Sequence, residues 1–101
     1  MSSPKKLKII SLDVGGQIFK TQIETLTKYP DSALAQMFSN TEIEEQLSKT
    51  ENGDYFLDLD PRDFEIILKF LRHGKVSSEN LSEDVLILAD YFGLTNNSFW
   101  L

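Results

Sequence analysis

Histidine and cysteine, the side chains most often used in nucleophilic catalysis, are almost absent from this chain of 101 residues. His73 is its single histidine, and the chain contains no cysteine. Nucleophilic catalysis needs a serine or cysteine activated by an oriented base, whereas His73 stands directly before Gly74, at a typical helix end. A partly charged imidazole suits the negative end of a helix dipole. We therefore interpret His73 as structural and predict that the chain is not an enzyme.

Acidic residues form the second group that could do chemistry. Asp58 and Asp60 lie two residues apart, with Asp54 and Asp63 close by, and clustered carboxylates can bind Ca²⁺ or Mg²⁺. The spacing is not that of a calcium-binding loop, and an aspartate before Pro61 is better explained as a helix cap. We favour capping together with hydrogen bonds between subunits. Thiolate metal sites are excluded because cysteine is absent, so no metal or cofactor is predicted.

The composition argues against two classes of partner. A formal net charge of -6 repels phosphate backbones, so we expect no contact with nucleic acid. No apolar run approaches the roughly 20 residues that a membrane helix needs. The first residues also lack the apolar stretch of a signal peptide. The expectation is a cytoplasmic domain that does not itself contact a membrane.

Local patterns divide the first half of the chain into a hairpin and a helix. Ile10, Leu12 and Val14 alternate with polar residues, which predicts a strand. Gly15 and Gly16 follow and predict a tight turn into a return strand over residues 17–21. After Pro30, either Asp31 or Ser32 can cap a helix over residues 33–38.

The second half contains the strongest helix signals. Residues 39–54 are polar and predict a flexible loop, with a helical turn at 43–47, before a strand at 55–59. Asp60-Pro61 begins a helix with an apolar stripe that ends at His73-Gly74. Ser82 begins another helix, which Gly93 ends. The expected organisation is a leader at 1–6, one domain at 7–94 and a tail at 95–101 that contains Phe99 and Trp100.

Four segments, in this order, carry a resemblance to a known family. They are LDVGGQIFKT at 12–21, YPDS at 29–32 followed by Leu34 and Met37-Phe38, YFLDLDP at 55–61 followed by FLRHGK at 70–75, and ADYFGL at 89–94. Together they resemble the potassium-channel-tetramerisation (BTB/POZ-like) domain family over residues 9–94. FLRHGK is more similar to the soluble branch of that family than to its channel branch.

The resemblance implies an α+β fold, in which a three-stranded sheet with a β-hairpin packs against about four to five helices. It also implies self-assembly into a homo-tetramer or homo-pentamer. The function implied is that of a soluble adaptor or scaffold that recruits a cullin-3 ubiquitin ligase. The alternative is the cytoplasmic N-terminal tetramerisation domain of a voltage-gated potassium channel, which a transmembrane segment downstream would identify.

Two surfaces follow from the resemblance. The oligomer interface is expected to use polar and charged side chains, namely Gln17, Lys20, Asp58, Asp60, Arg62 and Arg72. The cullin-3 face is expected at the end of the first long helix and in the acidic loop after it, at Met37, Phe38, Ser39 and Glu42, together with part of the helix at 82–92. The alternative for Met37 and Phe38 is a place in the core. Leu59 stands where the family commonly has arginine, which argues against an ionic contact between subunits at this position.

Overall fold

The computed structural model describes residues 8–95, which form one three-stranded sheet, five α-helices and a 3₁₀ turn. The strands are β1 (Ile9–Val14), β2 (Gln17–Gln22) and β3 (Tyr55–Leu57). The helices are α1 (Ile23–Leu26), α2 (Ala33–Ser39), α3 (Thr41–Glu44), α4 (Pro61–His73) and α5 (Glu83–Tyr91), with the 3₁₀ turn at Ser78–Asn80. The predicted leader at 1–6, the predicted start at Leu7 and the tail residues Phe99 and Trp100 lie outside the described residues.

The sheet is mixed, with strand order β2-β1-β3. β1 pairs with β2 in antiparallel fashion and with β3 in parallel fashion. Gly15 and Gly16 form the predicted turn with φ angles of 55° and 99°, values that glycine adopts without steric cost. The N–H of Gly16 donates to the Asp13 carboxylate over 2.8 Å. The predicted hairpin and α+β architecture are therefore confirmed.

The core lies between one face of the sheet and α4. The predicted alternation is confirmed, since Ile10, Leu12 and Val14 are all buried. Phe64 of α4 is fully buried and packs edge-on against Phe19, at a ring-centroid distance of 5.4 Å. Each large apolar side chain removed from water in this way contributes about 1.5–3 kcal/mol. The opposite face of the sheet carries polar side chains together with Ile9, Ile18 and Phe56, which are all partly exposed.

Capping residues fix the helix boundaries much as the sequence predicts. The Asp60 carboxylate accepts the N–H of Arg62 over 2.9 Å at the start of α4, and Gly74 ends that helix with a φ of 79°. Of the two candidates for α2, Ser32 is the cap, because its hydroxyl accepts the N–H of Ala35. Ser82 caps α5 in the same manner.

The middle of the chain differs from its prediction. The helical turn expected at 43–47 lies earlier, at α3, because the Asn40 side chain caps it by accepting the N–H groups of residues 42 and 43. Residues 48–50 then return alongside β3, where the N–H of Phe56 donates to the carbonyl of Ser48 over 2.9 Å. β3 itself ends at Leu57 rather than at residue 59, because the chain turns there and Leu57 O accepts from Leu59 N.

Candidate protein interface

The acidic end of the domain surrounds the turn from β3 into α4. Asp60 and Asp63 of this turn face Asp84 at the start of α5 across a surface groove of about 320 Å³. Leu59 and Ile87 line its apolar floor. Asp58 is exposed just before Leu59. We call this surface the acidic groove.

Charges in the acidic groove perturb one another. The backbone N–H of Arg62, followed by its side chain, lowers the pKa of Asp60. Partial burial, followed by the charges of Asp60 and Asp84, raises the pKa of Asp63. The Arg62 guanidinium lies 3.3 Å from the Asp60 carboxylate and is 87 % exposed. The groove therefore concentrates negative charge that the nearby Arg62 only partly offsets.

The basic end of the domain lies where the C-terminal turn of α4 meets β2. Arg72 donates a guanidinium hydrogen bond to the carbonyl of Lys20 over 3.2 Å. Lys28 donates to the carbonyl of Leu71 over 3.1 Å. Lys20 and Arg72 line a surface cavity of about 430 Å³ together with Ile9, which is 58 % exposed. We call this surface the basic edge, because β2 is an edge strand of the sheet.

The six residues predicted for the oligomer interface therefore fall into two groups. Asp60 lines the acidic groove, with Asp58 and Arg62 beside it in the chain, and Lys20 and Arg72 lie at the basic edge. Gln17 begins β2 opposite Val14, whose other neighbour in the sheet is Leu57. It is thus at the same end of the sheet as Asp58, although on a different strand. About 18 Å of helix separates Asp60 from Arg72, at 1.5 Å per residue.

The residues predicted for the cullin-3 face differ in their exposure to solvent. Phe38 is only 4 % exposed and belongs to the core, whereas Met37 is half-buried and Glu42 is exposed. The Ser39 hydroxyl donates to the carbonyl of Ala35 over 2.6 Å. Phe38 therefore supports this surface from beneath, which agrees with the core alternative for that residue.

A recess beside this surface was not found from the sequence. It measures about 330 Å³ and joins Met37 to Leu47, Phe56, Leu59 and Tyr91. Tyr91 is 68 % exposed and Phe56 is 37 % exposed, and partly exposed apolar groups that adjoin one another are typical of protein interfaces. Because these residues come from four separate segments, no local pattern could have grouped them.

The acidic loop is fastened to the sheet by Tyr55. Its hydroxyl donates to the Glu44 carboxylate, and the ammonium of Lys49 lies 4.7 Å from the centre of its ring. Phe38 packs edge-on against the same ring at 5.5 Å. The hydrogen bond to Glu44, followed by burial, raises the pKa of Tyr55 to about 12. The hydroxyl consequently remains a donor throughout the physiological pH range.

Two further findings concern the residues that the structure describes. Within residues 8–95, no group of three or more histidine, aspartate or glutamate side chains is arranged to hold a metal ion. Over the same range, no helix is long and apolar enough to span a membrane.

Comparison with known proteins identifies the family. The family model for the BTB/POZ domain matches residues 10–99. The chain belongs to the BTB/POZ domain family. Its type is that of the potassium-channel-tetramerisation domains, so the resemblance found in the sequence is confirmed. A BTB/POZ domain of this type is a module for oligomerisation and protein interaction.

Two human relatives resemble this BTB/POZ domain. It is 36 % identical over 89 residues to the BTB/POZ domain-containing protein KCTD17 of Homo sapiens, covering 86 % of this chain and 28 % of that protein. It is 35 % identical over 80 residues to the BTB/POZ domain-containing protein KCTD14 of Homo sapiens, covering 79 % of this chain and 30 % of that protein. The chain therefore spans less than a third of the length of either relative.

Proposed function

We propose that this BTB/POZ domain assembles with copies of itself into a closed homo-tetramer or homo-pentamer and serves as a cytoplasmic scaffold. The observation that carries this proposal is the separation of charge along α4, with Asp58 and Asp60 at one end and Lys20 and Arg72 at the other. Complementary charge steers association and fixes the register of two surfaces. The predicted interface residues supply both signs.

Placement of the two surfaces favours a ring. Because the acidic groove and the basic edge are different patches of one molecule, contact between them is heterologous, and heterologous contacts close into rings when the rotation permits. Each copy would offer Asp58, Asp60 and Arg62 to one neighbour and Lys20 and Arg72 to the other. Gln17 would contribute a neutral hydrogen-bonding group beside the acidic side.

Light scattering coupled to size-exclusion chromatography tests the proposal. We expect one species of four or five chains at micromolar concentration, with a mass that does not change on moderate dilution. Raising the salt concentration should weaken assembly, because exposed charges are screened. A monomer mass at every concentration up to the millimolar range would refute self-assembly.

We further propose that the assembled domain acts as an adaptor that binds the N-terminal domain of cullin-3. The proposed face consists of Met37, Ser39 and Glu42, with Phe38 beneath them, and extends across the recess to Tyr91 on α5. Its support is the combination of an acidic loop, an apolar recess and a highly exposed aromatic side chain, since aromatic anchors inside a polar rim are typical of interfaces.

A pull-down with the purified cullin-3 N-terminal domain tests the adaptor role. Replacing residues 39–52 by a glycine–serine linker should abolish capture, while the assembly mass stays that of the unmodified protein. A matched control replaces the exposed Glu79, on the 3₁₀ turn between α4 and α5, by glutamine and should leave capture unchanged. Capture that survives the loop replacement would refute the proposed face. If the unmodified protein captures no cullin-3, the result favours either a plain scaffold or the tetramerisation domain of a voltage-gated potassium channel.

A further inference from the structure

The acidic groove is suited to bind an apolar side chain that has cations next to it. Its floor is formed by Leu59, Ile87 and Leu88, and Ile87 remains 60 % exposed in the single chain. The carboxylates of Asp60, Asp63 and Asp84 stand around this floor. A neutral polar ligand would leave the floor uncovered, and an acidic ligand would be repelled.

The basic edge presents a side chain of matching character. Ile9 is 58 % exposed at the start of β1 and shares a cavity with Lys20 and Arg72. The hydrogen bond from Arg72 to the carbonyl of Lys20 holds the guanidinium at the free edge of β2. An apolar side chain beside two cations is thus displayed on a strand paired on both sides, so little conformational entropy is lost when it is covered.

We propose that the acidic groove of one copy receives Ile9 of the next copy, with Lys20 and Arg72 of that copy lying against the three carboxylates. This inference rests on the proposed self-assembly and specifies its contact. The contact is head-to-tail, because the acidic groove and Ile9 lie on different parts of each chain. Partial burial, followed by the charges of Asp60 and Asp84, raises the pKa of Asp63, and the arriving cations would offset the part that comes from charge repulsion.

Cross-linking tests the contact directly, because the chain has no cysteine of its own. The double variant Ile9→Cys/Ile87→Cys, treated with a short bis-maleimide, should give a ladder of covalent oligomers that ends at the size of the ring. A mixture of the two single variants should give a covalent dimer and nothing larger. Ile9→Cys/Ile43→Cys is the matched control, since Ile43 is also exposed but lies on α3, and it should give no ladder.

Each other outcome overturns the proposed contact. If the double variant assembles but gives no cross-linked species, residues 9 and 87 of neighbouring copies do not lie close together. Cross-linking of Ile9→Cys with itself indicates a two-fold symmetric contact, and a double variant that stops at the dimer does the same. A ladder of equal strength in the Ile43 control shows that the linking is not specific.

A second variant separates this inference from self-assembly in general. Ile9→Asp would place a fourth carboxylate against the groove and should weaken self-association at least about 100-fold, since juxtaposed like charges are strongly unfavourable. Ile9 is exposed, so the far-UV circular dichroism spectrum should not change. If Ile9→Asp assembles like the unmodified chain, the contact is wrong although self-assembly stands. If the unmodified chain is itself monomeric, both proposals fail.

Discussion

Arg72 and Lys20 are 52 residues apart in the sequence, yet the guanidinium of Arg72 donates to the carbonyl of Lys20 over 3.2 Å. The last turn of α4 thereby occupies a backbone acceptor on the free edge of β2. Edge strands present unpaired backbone groups that can pair with other chains, and charged side chains limit such pairing. This hydrogen bond orders one of the two cations of the proposed basic edge.

Replacement of Arg72 should therefore affect assembly more than folding. We expect Arg72→Ala to lower the free energy of unfolding by no more than about 1 kcal/mol, the typical net value of a hydrogen bond, and to weaken self-association clearly. Arg72→Lys keeps the charge and should recover most of the association. Chemical denaturation and sedimentation velocity measure the two effects, and equal loss in both variants would argue against a role for the charge.

Gly15 in the hairpin turn lies close to the backbone of Leu59, in the turn from β3 into α4. A Cβ atom at residue 15 would lie 2.4 Å from the carbonyl oxygen of Leu59, whereas one at Gly16 would meet nothing within 4 Å. Both glycines have positive φ, so alanine at either position costs about 1–2 kcal/mol in backbone conformation. Gly15→Ala should cost about 1–3 kcal/mol more, because the Leu59 backbone must move. Equal denaturation midpoints for the two variants would contradict this.

Asp60 should make the stability of the domain depend on pH at the acid end. Its pKa is lowered in the folded state, first by the hydrogen bond from the N–H of Arg62. Its contribution is therefore fully present above the unfolded pKa of about 3.9 and is lost as the pH falls through the lower folded value. Asp60→Asn still caps the helix but cannot titrate.

Thermal denaturation at a series of pH values checks this expectation. The acid limb of the stability curve should be shallower for Asp60→Asn than for the unmodified protein. Asp31→Asn removes an exposed carboxylate that does not cap α2 and should leave the limb unchanged. Identical limbs for the unmodified protein and Asp60→Asn would show that the cap carries no such dependence.

Tyr55 should position the acidic loop without governing the fold. Tyr55→Phe keeps the ring that packs against Phe38 and Lys49 but removes the donor to Glu44. We expect faster amide hydrogen exchange at residues 41–50, weaker capture of the cullin-3 domain and an unchanged assembly mass. Glu44→Gln should reproduce these effects, and the double variant should add little, since both changes remove the same contact. Unchanged exchange in the loop would contradict this role.

Helices and strands were predicted most accurately where the signals are close together in the sequence. The segment from Asp60-Pro61 to His73-Gly74 contains an N-terminal cap, an apolar stripe and a C-terminal glycine, and α4 has these bounds. The Gly15-Gly16 turn is equally local. By contrast, the position of residues 40–50 depends on Tyr55 contacting Glu44 eleven residues away, which no periodicity records. The helical turn at α3 was predicted too late in the chain for a different reason, because Asn40 was not recognised as its cap.

The candidate surfaces were harder to predict than the elements. Sequence reasoning supplied the charged residues, but nothing local indicated that they form two separate groups at opposite ends of α4. Nor could it join Leu59 to Ile87, because their proximity depends on the packing of α5 against α4. For Phe38, an apolar residue at a helix end, tertiary packing alone decides between core and surface.

Sedimentation equilibrium of the unmodified chain, from about 1 μM to 1 mM, measures directly whether the domain forms a closed ring. We expect a single mass of four or five chains over most of this range, with dissociation promoted by salt. A mass of one chain throughout would contradict it. So would a mass that rises without limit, because heterologous contacts that fail to close form open filaments rather than rings.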